Sequence, residues 1–374
     1  MGKSLPAKKI VATGTLVALL AATTAAPALA TVSPVQRALD VVVKDGAPGA
    51  EAVIRDRDGH THVVRSGVGD LGTGRAFPAN GEFRAGSDTK SFVATVVLQL
   101  VAAGQVELDA PIGRYLPGVV SGNGNDGTKI TVRQLLQHTS GIYNYLLDLG
   151  KYSPEEIRHR GAEPAELVAM AMAHPPLFAP GTQWSYSNTN YIIAGMLVEK
   201  ITHRSVATEI AARITRPLGL RGTYLPGRGD EHLPAPHANG YTTDGGPLFD
   251  FTDFDPSIAG AAGGLVSTPE DLNRFYAALL GGRLLPPAQL AEMRRTVPVG
   301  IGLPGAAYGL GLASVPLSCG GVFWGHGGNI NGFSTMSGVT ADGRRVTVVA
   351  NLDPLPDQAS DALAAAFDTA FCAS

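Results

Sequence analysis

A run from Ser91 to Ala103, Ser-Phe-Val-Ala-Thr-Val-Val-Leu-Gln-Leu-Val-Ala-Ala, is apolar nearly all round and stops at Gly104. A helix without a polar face is enclosed by protein rather than laid on a surface, so this one is expected deep inside the molecule. Further helical segments are read over Val132 to Gln137, Pro164 to Ala173, Tyr191 to Ile201 and Val206 to Ile214. The two ends of the chain carry a different pattern. Pro34 to Lys44 is a short helical stretch, after which Glu51 to Arg57 and His62 to Gly67 flank Asp58-Gly59, a hairpin turn signal. Towards the other end Tyr308 to Ala313, Gly321 to His326, Phe333 to Thr340 and Arg345 to Leu352 read as strands, the last two joined across Ala341-Asp342-Gly343, and Asp357 to Phe371 reads as a closing helix. Strands at both ends with helices between them predict one sheet assembled from the chain termini and a helical region inserted in the middle. Ser121 to Gly127 reads as a flexible surface loop, and Asp230 to Asp255, rich in Pro, Gly, His and Asp, as a long irregular connection.

Composition adds a compartment. The chain of 374 residues is 44% hydrophobic and 16% charged, enough apolar material for a large core and too little charge for disorder. Its first thirty residues carry Lys3, Lys8 and Lys9, an uncharged apolar run from Ile10 to Ala22, and Pro27-Ala28-Leu29-Ala30. That pattern reads as a secretory leader, with cleavage expected after about Ala30; the apolar run is short of the roughly 20 residues a membrane span needs, so no stable membrane anchor is expected. Without Lys3, Lys8 and Lys9 the chain holds 26 basic against 32 acidic residues, a net charge of −6, which gives no footprint for nucleic acid. Cys319 and Cys372, 53 residues apart in an exported chain, are expected to pair. None of the nine histidines has a His-x-x-x-His ligand spacing, and His60 and His62 alternate on a strand without a third partner, so no metal and no cofactor is expected.

Three segments carry chemistry. In Phe83-Arg-Ala-Gly-Ser-Asp-Thr-Lys90, leading into the buried helix, Ser87 falls in the first turn and Lys90 three residues later, on one face. A hydroxyl and an amine then meet at a helix N-terminus, where unpaired N–H groups favour an alkoxide or oxyanion, and desolvation lowers the lysine pKa so that a neutral amine is available as base. In Gln183-Trp-Ser-Tyr-Ser-Asn-Thr-Asn-Tyr191, Tyr186 and Asn188 sit two apart just before a helix; a phenol there relays a proton and an amide holds the substrate carbonyl and the lysine. Read singly, Tyr186 is a packing residue and Asn188 a helix cap. In Cys319-Gly-Gly-Val-Phe-Trp-Gly-His-Gly-Gly-Asn329, His326 with Gly327 and Gly328 is a strand end left bare for a substrate backbone. His326 is expected to give a hydrogen bond or a positive charge to the substrate or to the Tyr186 hydroxyl, and the backbone N–H groups of Ser87 and Asn329 to form an oxyanion hole.

With all three segments in this order, the chain resembles the penicillin-recognising serine hydrolases, above all the secreted D-alanyl-D-alanine carboxypeptidases and class C β-lactamases. The likeness extends through Ile130-Thr-Val-Arg-Gln-Leu-Leu-Gln-His-Thr-Ser-Gly-Ile142 and Pro180-Gly-Thr-Gln-Trp-Ser-Tyr-Ser-Asn188. It implies an α+β fold, an antiparallel sheet flanked by N- and C-terminal helices (31–90 and 265–374) with an inserted, mainly helical domain (91–264) and the site between them. Ser87 would be the acylated nucleophile, Lys90 its base partner, Tyr186 the relay, Asn188 a ligand of substrate and lysine, and His326 the counterpart of a late cation. The implied activity is D-alanyl-D-alanine carboxypeptidase on peptidoglycan-type peptides. A β-lactamase or esterase of the same mechanism is the rival, and a catalytically silent penicillin-binding protein the reading of another class. The implied ligands are a small peptide, β-lactam or ester, and the implied state is a monomer. Two departures stand out: Gly327 occupies the place where many members carry threonine or serine, and Leu310 to Ser318 lacks the arginine of the carboxypeptidases, leaving Arg294 or Arg295 as substitutes.

Overall fold

Eight antiparallel strands form the frame of the computed structural model, which describes residues 1–2, 33–299 and 304–373. Nearly all of the leader read over 1–30, including its cleavage site, lies outside the described residues. The strands are β1 (Gly49–Arg55), β2 (Thr61–Gly67), β3 (Val297–Pro298), β4 (Ala307–Tyr308), β5 (Ala313–Pro316), β6 (Val322–Ile330), β7 (Phe333–Thr340) and β8 (Arg345–Ala350). They lie in the order β2-β1-β8-β7-β6-β5-β4-β3. The N-terminal hairpin thus pairs with the last strand, Ala50 opposite Ala350 and Arg55 opposite Arg345, so the two chain ends close one sheet.

Burial of both faces explains why β1 carries six consecutive buried residues instead of an alternation. One face is covered by α1 (Pro34–Lys44) and α5 (Asp357–Cys372). Ser33 caps α1 by accepting the Gln36 N–H, with Pro34 preset for the first turn. Leu39 and Val42 of α1 and Leu363, Phe367 and Phe371 of α5 meet Ala50, Ala52, Val346 and Val348 in a single apolar cluster. The other face receives α4 (Pro269–Leu280) and, beyond it, the helical region built around α2 (Thr89–Ala102) and α3 (Asn188–Thr202). Along α2 Phe92, Val93, Val96, Val97 and Leu100 have no accessible surface, as an all-apolar helix requires. Among the described residues no helix is long and apolar enough to cross a membrane.

Three readings of the sequence need correction. Tyr308 to Ala313 is not one strand: the chain turns after Tyr308 at Gly309 and Gly311, the latter at φ +72°, and returns as β5. Ser121 to Gly127 is a small hairpin, Ser121 pairing with Asp126, whose Asn125 is buried and donates to the carbonyls of Gly122 and His174; side-chain anchoring of this kind does not register in composition. The connection Asp230 to Asp255 likewise contains a two-strand pairing, Tyr241–Thr242 with Phe249–Asp250. Cys319 and Cys372 form a disulfide that ties the turn before β6 to the end of α5.

Candidate active site

The nucleophile candidate sits where the buried helix begins. A single 3-10 turn, Gly86–Asp88, precedes α2, and Gly86 there has φ +54°, a conformation that costs glycine nothing. Its Cα also passes so close to β6 that a Cβ would stand 2.9 Å from the Asn329 nitrogen. That approach brings the Asn329 end of β6 alongside the turn carrying Ser87. Gly328 is required for the same closure, since a Cβ there would lie 2.0 Å from the Ala85 carbonyl oxygen.

Lys90 is fully buried, and its Nζ lies 2.9 Å from Ser87 Oγ, 2.7 Å from Asn188 Oδ1 and 2.6 Å from the Ala262 carbonyl oxygen. Asn188 Oδ1 and the Ala262 carbonyl only accept hydrogen bonds. A neutral amine has two hydrogens for those two acceptors, leaving its lone pair for the Ser87 hydroxyl. Burial holds the amine well below the ordinary lysine range, which agrees with that count. On the opposite side the Tyr186 hydroxyl donates to Ser87 Oγ at 2.7 Å, and burial keeps this phenol protonated. In the neutral amine that burial favours, the hydrogens run from Tyr186 to Ser87 to Lys90. Asp88 is also fully buried; burial raises its carboxyl well above the carboxylate range, and it accepts from the Tyr276 hydroxyl at 2.5 Å.

Each partner is positioned by its own element. Asn188 is the first residue of α3, with Ser187 at the cap position, so its side chain faces Lys90 rather than capping the helix. Asn144 Oδ1 accepts its backbone N–H at 3.2 Å. The Tyr186 ring packs on His138, centroids 4.3 Å apart, and His138 Nδ1 accepts the Ser187 N–H at 3.2 Å. Ala262, Asn144 and His138 were not singled out in the sequence. A backbone carbonyl leaves no trace there, and His138 and Asn144 are marked only by lying in or beside the quoted Ile130 to Ile142 stretch.

His326 differs from expectation. It is buried, its Nδ1–H donates to the Gly327 carbonyl at 2.5 Å, and its Nε2 accepts the Tyr308 hydroxyl at 2.8 Å. Both ring nitrogens are occupied, and burial brings its pKa down to about 3. It therefore stands at the cleft as a neutral ring and supplies neither the expected positive charge nor a bond to Tyr186. The strand edge is also less bare than expected: Gly327 lines the cleft, whereas Gly328 is buried against Ala85. Arg294 and Arg295 lie elsewhere, the former over the Trp324 ring.

The cleft over Ser87 encloses about 700 Å³. Part of its lining is apolar, with Leu146, Leu149, Ile157, Phe254 and Ile258; another part is polar, with Asn329, Asn331, Thr243 and Asp353. Among the described residues lining it there is no arginine and no lysine.

Residues 30–370 match the family model described as Beta-lactamase. A D-stereospecific amidohydrolase from Streptomyces sp. is 43% identical in sequence and superposes with a TM-score of 0.83 over 91% of this chain and 98% of its own. A D-amino acid amidase from Ochrobactrum anthropi SV3, solved with L-phenylalanine amide, is 29% identical with a TM-score of 0.80 over 90% and 96%. Penicillin-binding protein 4 of Amycolatopsis lactamdurans is 33% identical over 250 residues, which are 64% of this chain and 63% of that protein, so the matched part is under two thirds of the relative's length. A match across nearly the full chain, on this sheet and helix arrangement, makes the protein a serine hydrolase of the β-lactamase family.

Proposed function

We propose that the chain is an amidohydrolase that cleaves D-aminoacyl amides or short peptides through an acyl-enzyme on Ser87. The observation that carries the mechanism is a fully buried Lys90 amine 2.9 Å from Ser87 Oγ, whose burial favours the neutral form that can take the serine proton. In acylation, Ser87 Oγ attacks the substrate carbonyl carbon and its proton passes to Lys90 Nζ. The carbonyl oxygen gains negative charge between the N–H groups of Ser87 and Asn329, each such donor contributing about 3 to 4 kcal/mol. As the carbon–nitrogen bond breaks, Tyr186 gives its proton to the leaving amine and recovers one from Lys90. Water then attacks the ester by the same route in reverse, releasing the acid and restoring Ser87.

The substrate class rests on charge. A carboxypeptidase holds the free carboxylate of its substrate, and this cleft pairs a neutral His326 with a lining free of arginine and lysine. An amide or an amine leaving group needs no such cation. The likeness to an amidohydrolase and an amidase supports the same choice. Export to the cell exterior belongs to the proposal too, supported by the leader pattern of residues 1–30 and by the disulfide; the N-terminus of protein recovered from medium should be Thr31.

The test is release of ammonia from D- and L-phenylalanine amide, set against release of D-alanine from a D-alanyl-D-alanine peptide. D-Phenylalanine amide should be the best of the three. Ser87→Ala should lower its turnover by about 10⁴-fold or more, and Lys90→Ala and Tyr186→Phe by about 10² to 10⁴. Faster release of D-alanine than of ammonia would return the assignment to a carboxypeptidase.

A further inference from the structure

Asp353 follows the last strand of the sheet and lines the polar corner of the cleft. Its Oδ1 accepts from Asn329 Nδ2 at 2.7 Å and from Ser334 Oγ at 3.1 Å. Among the described residues, no hydrogen bond reaches its Oδ2 and no lysine, arginine or histidine pairs with it. Burial brings its pKa up to about 6, opposed by the Asn329 and Ser334 bonds, so at neutral pH it is chiefly a carboxylate without a counter-charge. Asp353 is half-buried and lines the cleft, so its free oxygen is open to a cationic group that enters there. A purely structural tie between the β6–β7 turn and the chain after β8 needs only Oδ1, and an asparagine would make it as well.

Asp353 is one side chain away from the reacting centre. Asn329, whose amide binds it, presents its backbone nitrogen beside Gly86, next to Ser87. An aminoacyl amide with its carbonyl at Ser87 has two substituents of unlike chemistry on the adjacent carbon, an ammonium and a side chain. The cleft offers two unlike surfaces to receive them, the Asp353 corner and the apolar wall of Leu146, Leu149, Ile157, Phe254 and Ile258.

We propose that Asp353 binds the free α-ammonium of the acyl residue, making the enzyme an aminopeptidase-like amidase that selects unblocked amino-acid amides. This deepens, and rests on, the amidohydrolase reading above. The arrangement also makes the site enantioselective, because exchanging the two substituents sets an apolar side chain against a carboxylate and an ammonium against an apolar wall.

The experiment compares D-phenylalanine amide with N-acetyl-D-phenylalanine amide in wild type and in Asp353→Asn, each rate divided by the same preparation's rate on 4-nitrophenyl butyrate, which has no amine. Wild type should favour the free amine by about 10- to 100-fold in kcat/KM, the range for a hydrogen bond to a charged group, and the variant should bring the ratio close to one, chiefly through KM. As a check independent of the variant's folding, D-phenylalanine amide should inhibit butyrate hydrolysis by wild type more strongly than its acetylated form. Equal rates on the two amides in wild type, or an equal loss on both in Asp353→Asn, would overturn the assignment of Asp353 alone. Turnover of butyrate with neither amide cleaved would remove the amidohydrolase reading and this inference with it.

Discussion

Two adjacent glycines of β6 should respond to substitution in opposite ways. A Cβ on Gly328 would meet the Ala85 carbonyl oxygen at 2.0 Å and the Thr335 methyl at 2.8 Å, while a Cβ on Gly327 meets only the Thr335 carbonyl oxygen, at an ordinary 3.4 Å. In Gly328→Ala the strand and the turn before Ser87 must therefore separate by roughly 1 Å, and misplacement of that size costs about 10²-fold in rate. Overpacking of this kind destabilises by about 1 to 3 kcal/mol, a fall in Tm of roughly 1 to 4 °C for a chain this long. Gly327→Thr should fold as wild type and place a hydroxyl in the cleft. The assay is kcat/KM on 4-nitrophenyl butyrate beside thermal unfolding of all three proteins. Wild-type activity in Gly328→Ala, within about threefold, would refute the claim that closure of β6 on the Gly86 turn sets the geometry of Ser87.

Three further predictions use other parts of the site and frame. Only the unprotonated Lys90 amine acts as base, so kcat/KM on an uncharged ester should be lost as pH falls through the folded pKa of Lys90 and flat above it; burial places that limb well below the ordinary lysine range, and a limb at about 10.4 would contradict the neutral amine. Tyr308→Phe leaves His326 Nε2 without its donor in a buried setting, which should cost about 1 to 3 kcal/mol in chemical denaturation; an unchanged midpoint would mean that the bond is not formed. Replacing Cys319 and Cys372 by serine opens a loop of 53 residues and should destabilise by about 4 kcal/mol in the chain-entropy model, leaving kcat on the ester unaltered because the bond lies in the sheet's outer layer.

What the sequence determined by itself was mostly local. The apolar run after Ser87 could only be a buried helix, and the Ser87 to Lys90 spacing put both groups on one face of it. Strand patterns at the two ends required a sheet closed by both termini, and β1 does pair with β8. The tertiary structure alone decided the ionisation and wiring of the site. Lys90 is held by a carbonyl 172 residues away, and that carbonyl belongs to an alanine no motif marks. The resemblance made His326 the counterpart of a late cation, whereas burial makes it neutral here and its Nε2 is taken by the Tyr308 hydroxyl. Asp353 carries no motif, and its place in the cleft depends on strand register. Spacing along the chain records which groups share a turn, whereas desolvation and long-range contact, which set charge and specificity, exist only once the sheet and helices have closed around them.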